Sequence, residues 1–162
     1  TPTLTARDPI PVTPSPDAPF SIIIAANNEE GYIDPCLDAI LAQDTAAGVL
    51  DVIVAANACT DRIEDIVASY VPAFAAKGWQ LTCLHLPDPG KLGALNAADA
   101  AVAGTSRAYL DADVICDPAL FGQLRAALDP AEQRIHAAYS NTPFLLAADI
   151  GDQIARFLAH TR

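Results

Sequence analysis

From Phe20 onward the chain alternates between short unbroken apolar runs and longer segments whose apolar residues recur every three or four positions. An unbroken run rich in β-branched residues suits a strand covered on both faces, whereas the wider spacing marks one face of a helix. The runs FSIIIA (20–25), DVIVAA (51–56), QLTCLHL (80–86) and RAYLD (107–111) are therefore predicted strands. A first helix is predicted over 30–43, with Ile33, Leu37, Ile40 and Leu41 on one face and Pro35 tolerable only in its first turn. Ile63, Ile66, Val67, Tyr70, Val71 and Phe74 mark a second helix, stopped near Lys77-Gly78 by a cation and a glycine. Pro72 inside that pattern predicts a kink or an early end. LGALNAADAAVAG (92–104) reads as a third helix, and Leu120, Phe121, Leu124 and Leu128 mark a short one after Asp117-Pro118. RIHAAY (134–139) follows as a fifth strand, with a last helix over roughly 145–160. Prolines crowd residues 1–19 at a density that excludes helix and central strand, so an extended or disordered arm is expected before a single α/β domain at 20–162.

Alternation of this kind predicts a mainly parallel sheet with helices on both faces, a Rossmann-like three-layer αβα arrangement. Ligands of such sheets bind beyond the carboxyl ends of the strands. That selects four loops in advance: AANNEEG (25–31), AANACTDR (55–62), PDPGKLGALN (87–96) and DADVICD (111–117).

Composition narrows the chemistry. A formal net charge of −11 over 162 residues argues against nucleic acid or an anionic membrane surface as partner. An anionic ligand must then be met by a local cation, a helix N-terminus or a metal ion. No apolar run approaches the roughly 18–20 residues of a membrane span, and the first residues lack a signal-peptide pattern, so a soluble, cytoplasmic protein is expected. Cys36, Cys59, Cys83 and Cys116 are widely spaced and read as reduced thiols in or near the core. His85, His136 and His160 show no metal-ligand spacing and read as surface or strand residues.

Asp111 and Asp113 stand one residue apart at the end of the fourth strand, where their mutual repulsion is best offset by a hard cation or by polar ligand groups. A lone Asp-x-Asp also serves as a solvated strand end or a helix N-cap. The functional reading places Asp113 on Mg2+ or Mn2+ that neutralises a diphosphate, with Asp111 beside the ribose of a sugar nucleotide. Lys91 is a cation in a Gly-rich turn before a helix, in an acidic chain, and suits a phosphate. Asp61 reads as a helix N-cap or first-turn residue, and Asn96 either as a structural hydrogen-bonding group reaching a neighbouring loop or as a ligand contact.

Taken together, SIIIAANNEEGYIDPCLDAILAQ, VIVAANACTDRIEDI, GKLGALNAA and YLDADV resemble, in order, the nucleotide-binding half of family 2 glycosyltransferases with the GT-A fold. The likeness covers residues 20–128. It implies a nucleotide-diphospho-sugar transferase fold, a nucleotide diphosphate sugar as donor, a separate acceptor, and Mn2+ or Mg2+. It also implies that Ala25, Asn27 and Glu29 border the base and ribose, that Asn57 meets the base edge, and that Lys91 lies near the base or phosphates. Asn27 stands where the family often has an aromatic residue, and Ala56 where it has aspartate, which leaves the base open.

Inverting members of that family draw a general base from a half that follows the Asp-x-Asp, but only 49 residues follow Asp113 here, without a recognisable base motif. Asp117, Asp129, Glu132, Asp149 and Asp152 are the acids among them. The leading expectation is a glycosyltransferase, or its donor-binding part, whose acceptor side is truncated, supplied by another chain or compressed beyond recognition. A second copy of the chain would cover the sheet edge so exposed. The alternative is an inactive nucleotide-binding or scaffold module of the same fold. A phosphatase of the haloacid-dehalogenase type, with Asp111 as nucleophile, is a minor third, since no lysine follows Asp113.

Overall fold

A computed structural model describes residues 18–102 and 106–127. Most of the proline-rich arm, the strand expected at 134–139, the helix expected over 145–160, Leu128, His136, His160, Asp129, Glu132, Asp149 and Asp152 lie outside the described residues.

Four strands form one wholly parallel sheet: β1 (Phe20–Ala26), β2 (Leu50–Asn57), β3 (Gln80–Leu86) and β4 (Ser106–Asp111), in the order β3-β2-β1-β4. The α-helices among the described residues are α1 (Ile33–Leu41), α2 (Ile63–Ala76), α3 (Lys91–Ala101) and α4 (Leu120–Ala127). Alternation along β1 divides the core into two layers. Phe20, Ile22, Ile24 and Ala26 pack with Ile33, Leu37 and Ile40 of α1, Val67 and Phe74 of α2, and Phe121 of α4. Ile23 joins Ile53 and Ala55 of β2 against Ala94 and Ala98 of α3. Period-2 side chains on strands buried from both sides require a helical layer on each face, and the unbroken apolar runs reflect that.

The chain steps from β1 to β2 to β3 in one direction, then crosses back over β1 to place β4 on its far side. A right-handed crossover in the reverse direction must use the opposite face, so α3 lies apart from α1 and α2. The reversal opens a crevice above the carboxyl ends of β1 and β4.

Strand positions match the apolar runs to within a residue or two, but Pro72 does not end α2, which continues to Ala76. Phe74, wholly buried and packed on Trp79, holds the last turn in place and outweighs the missing backbone donor. The helix then stops at Lys77 and Gly78, as expected. The ammonium of Lys77 bonds the Leu41 carbonyl at the end of α1 and sits 4.2 Å from the Trp79 ring centroid.

Candidate functional site: a cleft over the strand ends

The first two loops are laced together. Asn27 Nδ2 donates to the Asn57 carbonyl at 2.6 Å, and the Cys59 thiol donates to the Ala26 carbonyl at 3.3 Å. Thr60 N donates to Asn28 Oδ1 at 2.8 Å. Glu30 and the second loop exchange bonds in both directions: Glu30 N donates to Asp61 Oδ2 at 2.9 Å, and Arg62 N donates to Glu30 Oε2 at 2.9 Å. Asp61 also accepts from Ile63 N at 3.3 Å, but it lies one residue before the N-cap, Arg62, so it borders the helix start instead of capping it while tying down the first loop. Asn28 and Ala58 are the only non-glycine residues with positive φ among those described, at 54° and 49°. Asparagine tolerates that region, but alanine pays a steric cost there.

Asn57 carries the lacing to the third loop. It is buried at the end of β2, and its Oδ1 accepts from Gly90 N at 3.1 Å. Gly90 has φ of 148°, a conformation that a side chain resists, and directly precedes α3. Lys91 then opens α3 and reaches the fourth loop, its Nζ 2.7 Å from Asp111 Oδ1. The turn Asp111–Val114 closes through a bond from Val114 N to the Asp111 carbonyl at 3.2 Å, leaving Asp113 exposed. Beneath that turn lies Cys36 of α1, its thiol pushed up to about 12 by burial and by the negative charge of Asp113.

These four loops enclose one cleft of about 290 Å³, lined by Ala25, Ala26, Asn27, Glu29, Asn57, Lys91, Asp111, Ala112 and Asp113. That volume is at the lower end of small-molecule sites. Every residue singled out from the sequence for nucleotide or metal contact lines it. Their first-order roles differ, however. Asn27 and Asn57 spend an amide group on the framework, whereas Lys91, Asp111 and Asp113 stand on the open side. Asn96 is exposed on α3 and makes no side-chain hydrogen bond among the described residues, so the strut expected of it is absent. Its place is taken by Asn57, one loop earlier. Sequence reasoning missed Asn28, Glu30, Cys59, Thr60 and Arg62 as positioning groups. Their partners lie 31 to 33 residues away, and only the parallel register of β1 on β2 brings them together.

The comparisons with known proteins follow the same lines. The family described as Glycosyl transferase family 2 matches residues 21–137, most of the chain. The chain belongs to that family. Among solved structures, S. aureus TarS 1–349 is similar at TM-score 0.54 and 22% identity, over 67% of this chain and 31% of that one. The same TarS fragment in complex with UDP matches equally, and in complex with UDP-GlcNAc at TM-score 0.51 and 23% identity over 30% of its length. The likeness shows a shared GT-A fold, and this chain spans about a third of the length of those TarS chains. No curated protein matches it. Family membership favours a glycosyltransferase over a phosphatase.

Asp111 and Asp113 are two carboxylates, with no third acid, histidine or cysteine placed to complete a metal site among the described residues. Magnesium and manganese commonly accept one or two carboxylates and complete their shell with phosphate oxygens and water. The donor set fits a cation that arrives with its diphosphate and does not fit one caged by protein alone. No described helix is long and apolar enough to cross a membrane.

Proposed function

We propose that the cleft holds the diphosphate and nucleoside of a nucleotide diphosphate sugar, and that the chain is the donor-binding part of a glycosyltransferase acting on a separate acceptor. The observation that carries the reading is the convergence of Asn57, Lys91, Asp111 and Asp113 on one cleft at the strand-order reversal. Ala25, Asn27, Glu29 and Asn57 would border the nucleoside, Lys91 the phosphates and Asp111 the ribose, while Asp113, with Asp111, would hold a divalent cation. When bound, such a cation supplies positive charge to the departing diphosphate. The ammonium of Lys91 contributes to the same stabilisation from the protein side. UDP is the first nucleotide to try, because the TarS structures of the same fold hold UDP and UDP-GlcNAc. Titration calorimetry of the full chain with UDP should show binding with manganese and its loss in excess chelator. Undiminished binding in chelator would contradict the metal role, and no binding under either condition would contradict the site.

A module that binds without turnover is the second reading, favoured by one observation. The carboxylates lining the cleft are Glu29, Asp111 and Asp113, all assigned to the donor, so none is left there among the described residues to deprotonate an acceptor. Hydrolysis or transfer of a UDP-sugar by the purified chain would exclude it.

A further inference from the structure

The charge of the cleft comes from Glu29, Asp111, Asp113 and Lys91, three carboxylates and one ammonium. Lys91 is the sole cation of that lining among the described residues, and it is already engaged with Asp111 at 2.7 Å. Burial does not enforce this pair, for the two side chains are 66% and 53% exposed. The backbone does. Lys91 follows Gly90, whose N–H is fastened to Asn57, and Asp111 is the last residue of β4, in register with Ala25 of β1. With both ends anchored, the ammonium rests on the carboxylate before any ligand arrives.

An anion entering alone meets two further carboxylates and a cation whose charge is spent. To gain Lys91 it must break the pair and leave Asp111 uncompensated beside it. A diphosphate that brings a divalent cation escapes this cost, because the cation answers the carboxylates while Lys91 turns to a phosphate oxygen. From this geometry we infer that Asp111 masks Lys91 in the unliganded cleft, so that the cleft holds metal-free diphosphates more weakly than an unpaired Lys91 would allow. The inference rests on the donor-site reading above and adds to it the masking of Lys91 before a ligand arrives.

The test is a double-mutant cycle read by calorimetry with inorganic pyrophosphate in excess chelator, using the full chain, Asp111→Asn, Lys91→Met and the double variant. Asp111→Asn should bind metal-free pyrophosphate about fivefold more tightly than the unaltered chain, the scale of one released surface ion pair. In the Lys91→Met background the same change should give about twofold or less, the screened through-space repulsion alone. Equal gains in both backgrounds, or no gain in either, would overturn the inference. Should Asp111→Asn lower the unfolding midpoint, Asp111→Ser supplies the same comparison. Titration of the unaltered chain with UDP and manganese separates the two ideas. Its failure would remove the nucleotide site while leaving the pyrophosphate cycle to decide whether Asp111 masks Lys91.

Discussion

The two halves of the cleft rim are built differently. Above β1 and β2, the loops are joined by bonds that use Asn27, Asn28, Glu30, Cys59, Thr60, Asp61 and Arg62, so their polar groups are largely spent on one another. Above β3 and β4, one exposed pair, Lys91 with Asp111, joins the loops, and Asp113 stands in the open with no ion pair among the described residues. Leu92 beside Lys91 and Ile115 beyond Asp113 are 73% and 61% exposed, in keeping with a rim left uncovered. The contrast separates preorganisation from chemistry. One side fixes shape, and the other leaves its charged side chains exposed at the rim.

Substitutions should divide along that line. Asp113→Ala should have the largest effect, lowering manganese-dependent affinity for UDP by about ten- to a hundredfold, the scale of one charge-assisted contact. Its unfolding midpoint should stay near that of the unaltered chain, because the side chain is exposed. Asn57→Ala should do the reverse in its first consequence. It leaves the Gly90 N–H without its acceptor and should cost about 1–3 kcal/mol in denaturant unfolding. If it lowered affinity with no loss of stability, the division between framework and chemistry would fail at its most buried member. Ala58→Gly should stabilise the chain by about 1 kcal/mol, since glycine accepts the left-handed backbone that alanine resists. An unchanged or lowered melting temperature would show that the second loop is not strained as its φ indicates.

The smallest effect at neutral pH concerns two thiols, Cys36 on α1 and Cys83 within β3. Burial raises Cys36 to about 12 and Cys83 to about 11, in each case above the ordinary value of 9.0. A folded-state value above the unfolded one means stability that is complete below about 9 and lost as pH rises from there toward 11 and 12. The unfolding midpoint should therefore be flat near neutrality and fall above pH 9, and Cys36 should resist alkylation until the chain unfolds. Rapid labelling of native Cys36 at pH 8 would place the turn at Asp113 off the helix that supports it.

Much of this architecture was legible because buried parallel strands leave a plain signature. FSIIIA and DVIVAA have no polar alternation, and each is covered on both faces. The four site loops followed from topology alone, since strand ends in such sheets are where ligands bind. What the sequence did not disclose depends on register. Nothing in AANNEEG announces that Glu30 will trade bonds with Asp61 and Arg62, and nothing in GKLGALN shows Lys91 resting on Asp111. Pro72 misled for a different reason: the rule about a missing donor yields when the contact of Phe74 with Trp79, just past the helix end, fixes the turn that follows.

The central claim is that the four strand-end loops form one receptor for a metal-bound nucleotide diphosphate. Amide spectra of the full chain, titrated with UDP and magnesium and then with traces of manganese, test it most directly. Shifts should be confined to residues near Asn27, Asn57, Lys91 and Asp111, with manganese broadening centred on Asp113 and none at Val71 or Trp79 on the far side of the domain. Broadening centred elsewhere, or shifts in only one of the four loops, would contradict it.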